Sequence, residues 1–174
     1  SCWEGGTRVS CLMRWPGHIP AGTTSDTMLM TIDILPTIAR LAGAKLPDHR
    51  IDGLDVWPIL SGDGDIPNPH SYYAFYFENN QLQAITSGDG KWKLQLPHTY
   101  RSLGGQPGGK DGIPAKYKMI KLEQPELYDL YADISESKNV AGQNPEMVRK
   151  LESYAEQTRE DLGDSITKRE GSGA

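Results

Sequence analysis

Cysteine is scarce in this chain: Cys2 and Cys11 are the only two. No CxxC pair and no zinc-type Cys/His spacing occurs, which argues against a zinc site. Neither thiol has a histidine base close in sequence, so nucleophilic cysteine chemistry is disfavoured. Cys11 lies in an apolar run and is expected to be a small buried side chain; a Cys2–Cys11 disulfide stays open. Long apolar runs are missing too, and none approaches the roughly 18 residues that a membrane span needs. Positive charge is not in excess: 18 Lys and Arg face 23 Asp and Glu, for a net charge of -5. A uniformly basic nucleic-acid binder is thereby disfavoured. No GK[ST] follows a glycine-rich loop, and no HExxH or Ser/His/Asp spacing is found, so no complete catalytic site can be assembled from the residues alone. The chain opens "SCWEGGTRVSCLMRWPG", without an initiator methionine or a leader. It reads as the back end of something larger.

What is present is a foldable composition. The 174 residues are 37% hydrophobic and 24% charged, enough for one domain and part of another. "RVSCLMRW" at 8–15 is rich in strand formers and predicts a buried strand; "TTSDTMLMT" predicts a second, short one. In "TIDILPTIARLAGA", Ile34, Leu35, Ile38, Leu41 and Ala42 fall on one helical face, with Asp33 at the N-cap, Pro36 in the first turn and Gly43 beyond the end. A short helical turn is expected around 56–61. From residue 71 the chain becomes aromatic and β-rich. "SYYAFYF", "QLQAITSGDG", "KWKLQL" and "ELYDLYA" predict four antiparallel strands, separated by turn signals such as Glu78-Asn79-Asn80 and Gly88-Asp89-Gly90. A loop over 97–121 interrupts them. Near the end, Asn144 and Pro145 open a helix whose stripe is Met147, Leu151, Tyr154 and Leu162. The division expected is residues 1–66 as a piece of an α/β sheet domain, 67–165 as a small α+β subdomain, and 166–174 as a flexible tail. Two strands and one helix leave a sheet edge and face uncovered in the first piece, which again points upstream.

Several clusters have a chemical and a structural reading. Glu4-Gly5-Gly6 could form a backbone anion nest, but a tight turn is the preferred reading. Arg8 is expected to pair with a buried acid, Asp33 being the candidate. Asp52, Asp55, Asp63 and Asp65 cluster in sequence without EF-hand spacing, so a solvated loop is expected rather than a cation site. His18 and His70 are expected on surface loops. The loop at 97–121 holds five cations, Arg101, Lys110, Lys116, Lys118 and Lys121, against the single acid Asp111. A glycine-rich, locally basic loop suits an anionic ester.

The order of motifs resembles the C-terminal part of the sulfatase family, of arylsulfatase type, within the alkaline-phosphatase-like superfamily. "WEGGTR" at 3–8 is similar to the family's (Y/W)-E-G-G-x-R segment. "RWPG" at 14–17, "DILPTIARLAG" at 33–43 and "DGLDVWPIL" at 52–60 follow in order. "GKWKL" at 90–94 is similar to G-x-(W/Y)-K-L, and "ELYDLYADISESKNVA" at 126–141 to E-L-Y-D-L-x-x-D-P-x-E-x-x-N-L-A. Ser10, Ile134, Ser135 and Val140 depart from the pattern at structural positions. The resemblance implies an α/β fold: the end of the alkaline-phosphatase-like sheet domain, then a small antiparallel four-stranded sheet packed on a C-terminal helix. It implies a parent enzyme that hydrolyses aryl or carbohydrate sulfate esters. It also implies that the formylglycine nucleophile and the calcium ligands lie upstream, with no catalytic residue and no metal ligand in this chain. "SCLMR" at 10–14 lacks the proline of the C/S-x-P-x-R motif. His98, in the loop after the W-K-L strand, is the resemblance's candidate for binding the alcohol portion or assisting the leaving group. Arg101 and Lys110 are candidates for anionic groups on a sugar. The expected partners are a sulfate-ester substrate and an upstream sulfatase domain; kinship implies export. A phosphate or phosphonate monoester hydrolase of the same superfamily is the first competing reading. A non-catalytic glycan-binding or assembly module is the second.

Overall fold

The computed structural model describes residues 1–62 and 66–173. They form four α-helices and six strands, in the order α1 (Glu4–Thr7), α2 (Ile34–Ala42), α3 (Trp57–Ser61), β1 (Tyr72–Phe77), β2 (Gln81–Ser87), β3 (Trp92–Gln95), β4 (His98–Ser102), β5 (Lys118–Leu122), β6 (Glu126–Asp129) and α4 (Pro145–Leu162). Two compact units result. One holds Ser1–Arg8, Ala74–Thr86 and Trp92–Ala174; the other holds Val9–Tyr73 and Ser87–Lys91. The first eight residues therefore belong with the second half of the chain, not with residues 9–66.

In the first unit the four expected strands form one sheet, ordered β1-β2-β3-β6. Asn79 and Asn80 both take positive φ in the turn between β1 and β2, a conformation asparagine tolerates better than most residues. The ladders place Ile85, Leu94 and Leu127 side by side across three strands, and all three are fully buried. Because side chains alternate along a strand, Lys93 and Gln95 point to the opposite face from Leu94. Helix α4 packs along β3 and buries Leu151, Ala155 and Thr158. Of the expected stripe only Leu151 is fully inside; Leu162 is exposed. Asn144 does not cap α4 through its side chain; its amide donates to the Val140 carbonyl at 3.0 Å instead.

Two segments differ from expectation here. The stretch 97–121 is no plain loop: β4 and β5 pair antiparallel, from His98↔Leu122 to Ser102↔Lys118. The tail is tied back rather than loose. Asp164 and Arg169 form a β-bridge, and the backbone N–H groups of Ser172 and Gly173 donate to the Glu160 and Asp161 carbonyls. Fully buried Asp164 anchors this turn, accepting from Arg159 Nε at 2.9 Å and from the Ile166 backbone.

Residues 8–15 and 23–30, all but Arg8 in the second unit, form no strand. A strand needs a neighbour to take its backbone hydrogen bonds, and none among the described residues pairs with these. Cys11 is accordingly exposed, and both cysteines are free thiols. Helix α2 forms where expected and ends at Gly43 in the left-handed region. The shared apolar face is not the buried one: Pro36, Thr37 and Ala39 are buried, while Ile34, Leu35, Ile38 and Leu41 are exposed, Ile38 at 58%. The Thr37 hydroxyl explains this, donating to the Asp33 carbonyl at 2.7 Å and accepting from the Val56 backbone at 3.0 Å. The small residues face segment 54–56, and the apolar stripe faces outward.

Candidate functional site

The β4–β5 hairpin forms one wall of a cleft of about 780 Å³ in the first unit. His98, Arg101, Tyr117 and Met119 line it from the hairpin side. Phe77, Glu78, Gln81 and Gln83, from the β1–β2 corner, line it opposite. The position of His98 follows from the local chain. The Leu96 N–H bonds the Gln83 carbonyl at 2.8 Å, Pro97 has no N–H to give, and the chain turns from β3 into β4 with His98 as its first residue. The ring is 5% exposed. Its Nδ1 lies 2.6 Å from the Leu96 carbonyl. A carbonyl only accepts, so Nδ1 carries the proton and Nε2 is left as an acceptor. That Nε2 is buried and has no hydrogen-bond partner. Burial pushes the His98 pKa down, against the opposing pull of the Leu96 carbonyl. The arrangement presents a neutral imidazole whose free lone pair asks for a donor.

The other two sequence candidates separate. Arg101 lines the cleft and is exposed on the strand position opposite Met119. Lys110 is not among the lining residues; it sits in a bridge with Ile113 near the hairpin's far end. The sequence reading missed Phe77, Glu78, Gln83 and Tyr117. The alternation in "HTYRS" and "KYKMIKL" was the available signal, since it places Thr99, Arg101, Met119 and Lys121 on one face.

The first unit also holds a buried ion cluster that the sequence did not announce. Lys93 is fully buried. Its Nζ lies 2.7 Å from Glu4 Oε1 and 3.5 Å from Glu136 Oε1. Glu136 also accepts from the Glu4 backbone N–H at 2.6 Å and from Gln95 at 2.9 Å. Burial pushes the Glu4 pKa upward, but Lys93 and Arg8 outweigh it and hold the carboxyl below its usual value. The E-G-G segment is thus neither nest nor plain turn. It is one helical turn whose acid plugs into the sheet, and Gly5 and Gly6 do not take positive φ. Gly6 is needed for closeness: a Cβ there would stand 2.7 Å from the Ser1 carbonyl oxygen.

The remaining expectations fall out differently. Arg8 pairs with Glu4 at 2.9 Å and not with Asp33. Asp33 is held by His70 at 2.6 Å, with both side chains largely buried, so His70 is no surface residue. His18 is exposed and stacks on Trp15. Asp55 pairs with Arg40 and caps the Trp57 backbone, while Asp63 and Asp65 lie outside the described residues. Among the described residues no group of three or more His, Cys, Asp or Glu converges on a point where a metal could sit. They therefore do not fit the calcium that the resemblance implies, and neither does a C/S-x-P-x-R motif occur for formylglycine.

Residues 2–95 match the family model for the N-sulphoglucosamine sulphohydrolase C-terminal region. The chain belongs to the sulfatase family. Human arylsulfatase A is 34% identical over 153 residues, covering 86% of this chain and 30% of that protein. Human steryl-sulfatase is 44% identical over 84 residues, covering 48% of this chain and 14% of that protein. A structure from a study of glycosaminoglycan metabolism by Bacteroides thetaiotaomicron is 31% identical, with a TM-score of 0.52 over 73% of this chain and 24% of that one. Another, in complex with its substrate D-glucosamine-2-N,6-O-disulfate, shares the fold at 24% identity and a TM-score of 0.54, covering 84% of this chain and 27% of that one. The chain thus matches less than a third of the length of each of these sulfatases, and the matched fold is that of alkaline-phosphatase-like proteins. No helix among the described residues is long and apolar enough to cross a membrane.

Proposed function

We propose that this sulfatase-family chain is the C-terminal part of a sulfuric ester hydrolase that cleaves an aryl or carbohydrate sulfate to alcohol and sulfate. In this reading the chain does not catalyse alone. It forms part of the substrate pocket, and an upstream domain carries calcium and formylglycine. The observation that carries the reading is buried His98, held with Nδ1 protonated against the Leu96 carbonyl and with no partner at Nε2, among the residues that line the cleft. A neutral, proton-accepting imidazole suits binding a hydroxyl of the alcohol portion better than donating a proton to the leaving group. Arg101 stands ready for an anionic group, and Lys110 has no part in the cleft.

The apolar stripe of α2 supports the upstream partner. Ile34, Leu35, Ile38 and Leu41 are exposed together, and Val9 and Leu12, earlier in the chain, are exposed at 82% and 96%. Apolar exposure of this extent marks a docking surface. The proposed occupant is the rest of the sulfatase, since the chain covers only 30% of human arylsulfatase A.

The test is sulfate release. The full-length protein that carries this chain is assayed with 4-nitrophenyl sulfate, glucosamine 6-sulfate and the matching phosphate monoesters. Sulfate release with a kcat/KM well above that for phosphate is expected, and none from the 174-residue chain alone. Preferential phosphate release, or turnover by the isolated chain, would overturn the reading.

A further inference from the structure

One side chain of the first unit touches both of its sheets. Trp3 sits just ahead of α1, its backbone carbonyl accepting from the Gly6 and Thr7 N–H groups at 2.7 and 3.1 Å. Its ring lies 5.7 Å from that of Tyr128, on β6 of the four-stranded sheet, and 4.8 Å from that of Tyr100, on β4 of the two-stranded one. Both separations fall in the favourable range for ring pairs. The indole Nε1 is buried and has no hydrogen-bond partner among the described residues, so packing holds the ring. The backbone that carries it is anchored on β3 from both sides. Before it, Cys2 is 2% exposed, and its carbonyl accepts from Gln95 at 3.4 Å. After it, Lys93 holds the Glu4 carboxylate and Glu136 the Glu4 N–H.

The β4–β5 hairpin is held differently. Among the described residues, the side-chain hydrogen bonds and ion pairs of its strands stay within residues 96–123: His98 to the Leu96 carbonyl, the Gly104 N–H to Ser102, and Lys121 to Glu123. A two-stranded ribbon alone is marginally stable and needs packing from elsewhere. Alternation along β4 puts His98, Tyr100 and Ser102 on the face that Trp3 meets, and Thr99 and Arg101 on the other. The rings of Tyr100 and His98 lie 5.6 Å apart, and both residues line the cleft. We infer that Trp3 is a positioning residue for the cleft: anchored to β3 through Cys2 and Glu4, its ring pins Tyr100 and, with it, the β4–β5 wall. The consequence for turnover rests on the cleft being part of the substrate pocket, as proposed above; the pinning of the hairpin does not.

Hydrogen exchange read by mass spectrometry on the full-length protein that carries this chain tests the pinning. The kinetics of sulfate release from 4-nitrophenyl sulfate and glucosamine 6-sulfate test its consequence. Trp3→Leu keeps apolar volume and removes the ring; Trp3→Tyr keeps a ring. Leu151→Val, a trimmed core residue of α4 outside the cleft, controls for lost stability. In Trp3→Leu, exchange across β4 and β5 should speed at least roughly tenfold more than across β2 and β3, the size of one or two lost ring contacts. KM should rise by a similar factor with kcat within about twofold, because a loosened wall weakens substrate and transition state alike. Trp3→Tyr should restore both, and Leu151→Val should leave KM at the parent's value. If Trp3→Leu does not fold, Tyr100→Leu removes the same contact from the hairpin side, with the same exchange pattern expected. Exchange that rises evenly over both sheets, or a Trp3→Tyr variant as loose as Trp3→Leu, would overturn the inference. So would an unchanged KM in an active variant whose hairpin is loosened. A parent that releases no sulfate would refute the proposed function alone, and the exchange pattern would still decide the pinning.

Discussion

Replacing Lys93 by methionine probes the joint that holds the first eight residues to the sheet. Methionine keeps most of the buried stem and removes the charge. It leaves Glu4 with Arg8, whose guanidinium is half exposed, and Glu136 with the Glu4 N–H and Gln95. Removing one partner from a buried ion pair costs about 3–5 kcal/mol, because the other charge stays buried. The surviving bonds place this case at the low end, about 3 kcal/mol, still a large part of the ~5–15 kcal/mol that stabilises a domain. Urea unfolding followed by far-UV circular dichroism at pH 7 measures it. Adding Glu4→Gln to Lys93→Met should recover part of the loss, since a neutral amide needs no counter-charge. The pH dependence has a defined sign. The folded-state pKa of Glu4 is lowered, so its contribution is present above the unfolded value of 4.5 and is lost as pH falls through the folded value. Glu4→Gln should remove that share of the acid loss. A Lys93→Met variant within about 0.5 kcal/mol of the parent at pH 7 would refute the reasoning, that being the ordinary range for a surface substitution.

Two further substitutions test the joints elsewhere. Gly88→Ala, between β2 and β3, would set a Cβ 1.8 Å from the His70 carbonyl oxygen; the backbone must shift, and thermal unfolding should show a loss of more than about 2 kcal/mol, as for other strained backbone sites. Asp164→Ala removes the acceptor of Arg159 and of the Leu82 and Ile166 backbones. It should cost about 1–3 kcal/mol and speed hydrogen exchange at Ser172 and Gly173, the amides that tie the tail to α4.

The sequence made the four-stranded sheet legible because its strands are aromatic and β-branched, and turn residues separate them cleanly. The β4–β5 hairpin was hidden by composition. Its strands are short and half polar, and the glycines between them outweigh the alternation. The apolar stripe of α2 was legible as a stripe, but its destination was not. Periodicity says which residues share a face and not what covers it, and Thr37 turned the small face inward. Residues 8–15 look like a strand by propensity, yet a strand exists only through its neighbour. Of the residues that line the cleft, His98 was named through the family resemblance and Arg101 as one cation of the basic stretch 97–121. Lys93 was not, since a strand lysine ordinarily reads as solvent-facing; its burial depends on Glu4, 89 residues away in sequence, and on Glu136. Nor could sequence show that His70 would leave the surface to hold Asp33.

The most direct test of the central claim is the kcat/KM for sulfate release by the full-length protein that carries this chain, compared between the parent and His98→Ala. If His98 Nε2 accepts a substrate hydroxyl, kcat/KM should fall roughly tenfold or more, the size of a lost hydrogen bond to a buried acceptor, while the folded content stays that of the parent. An unchanged kcat/KM in a folded variant would contradict the claim that this cleft belongs to the substrate site.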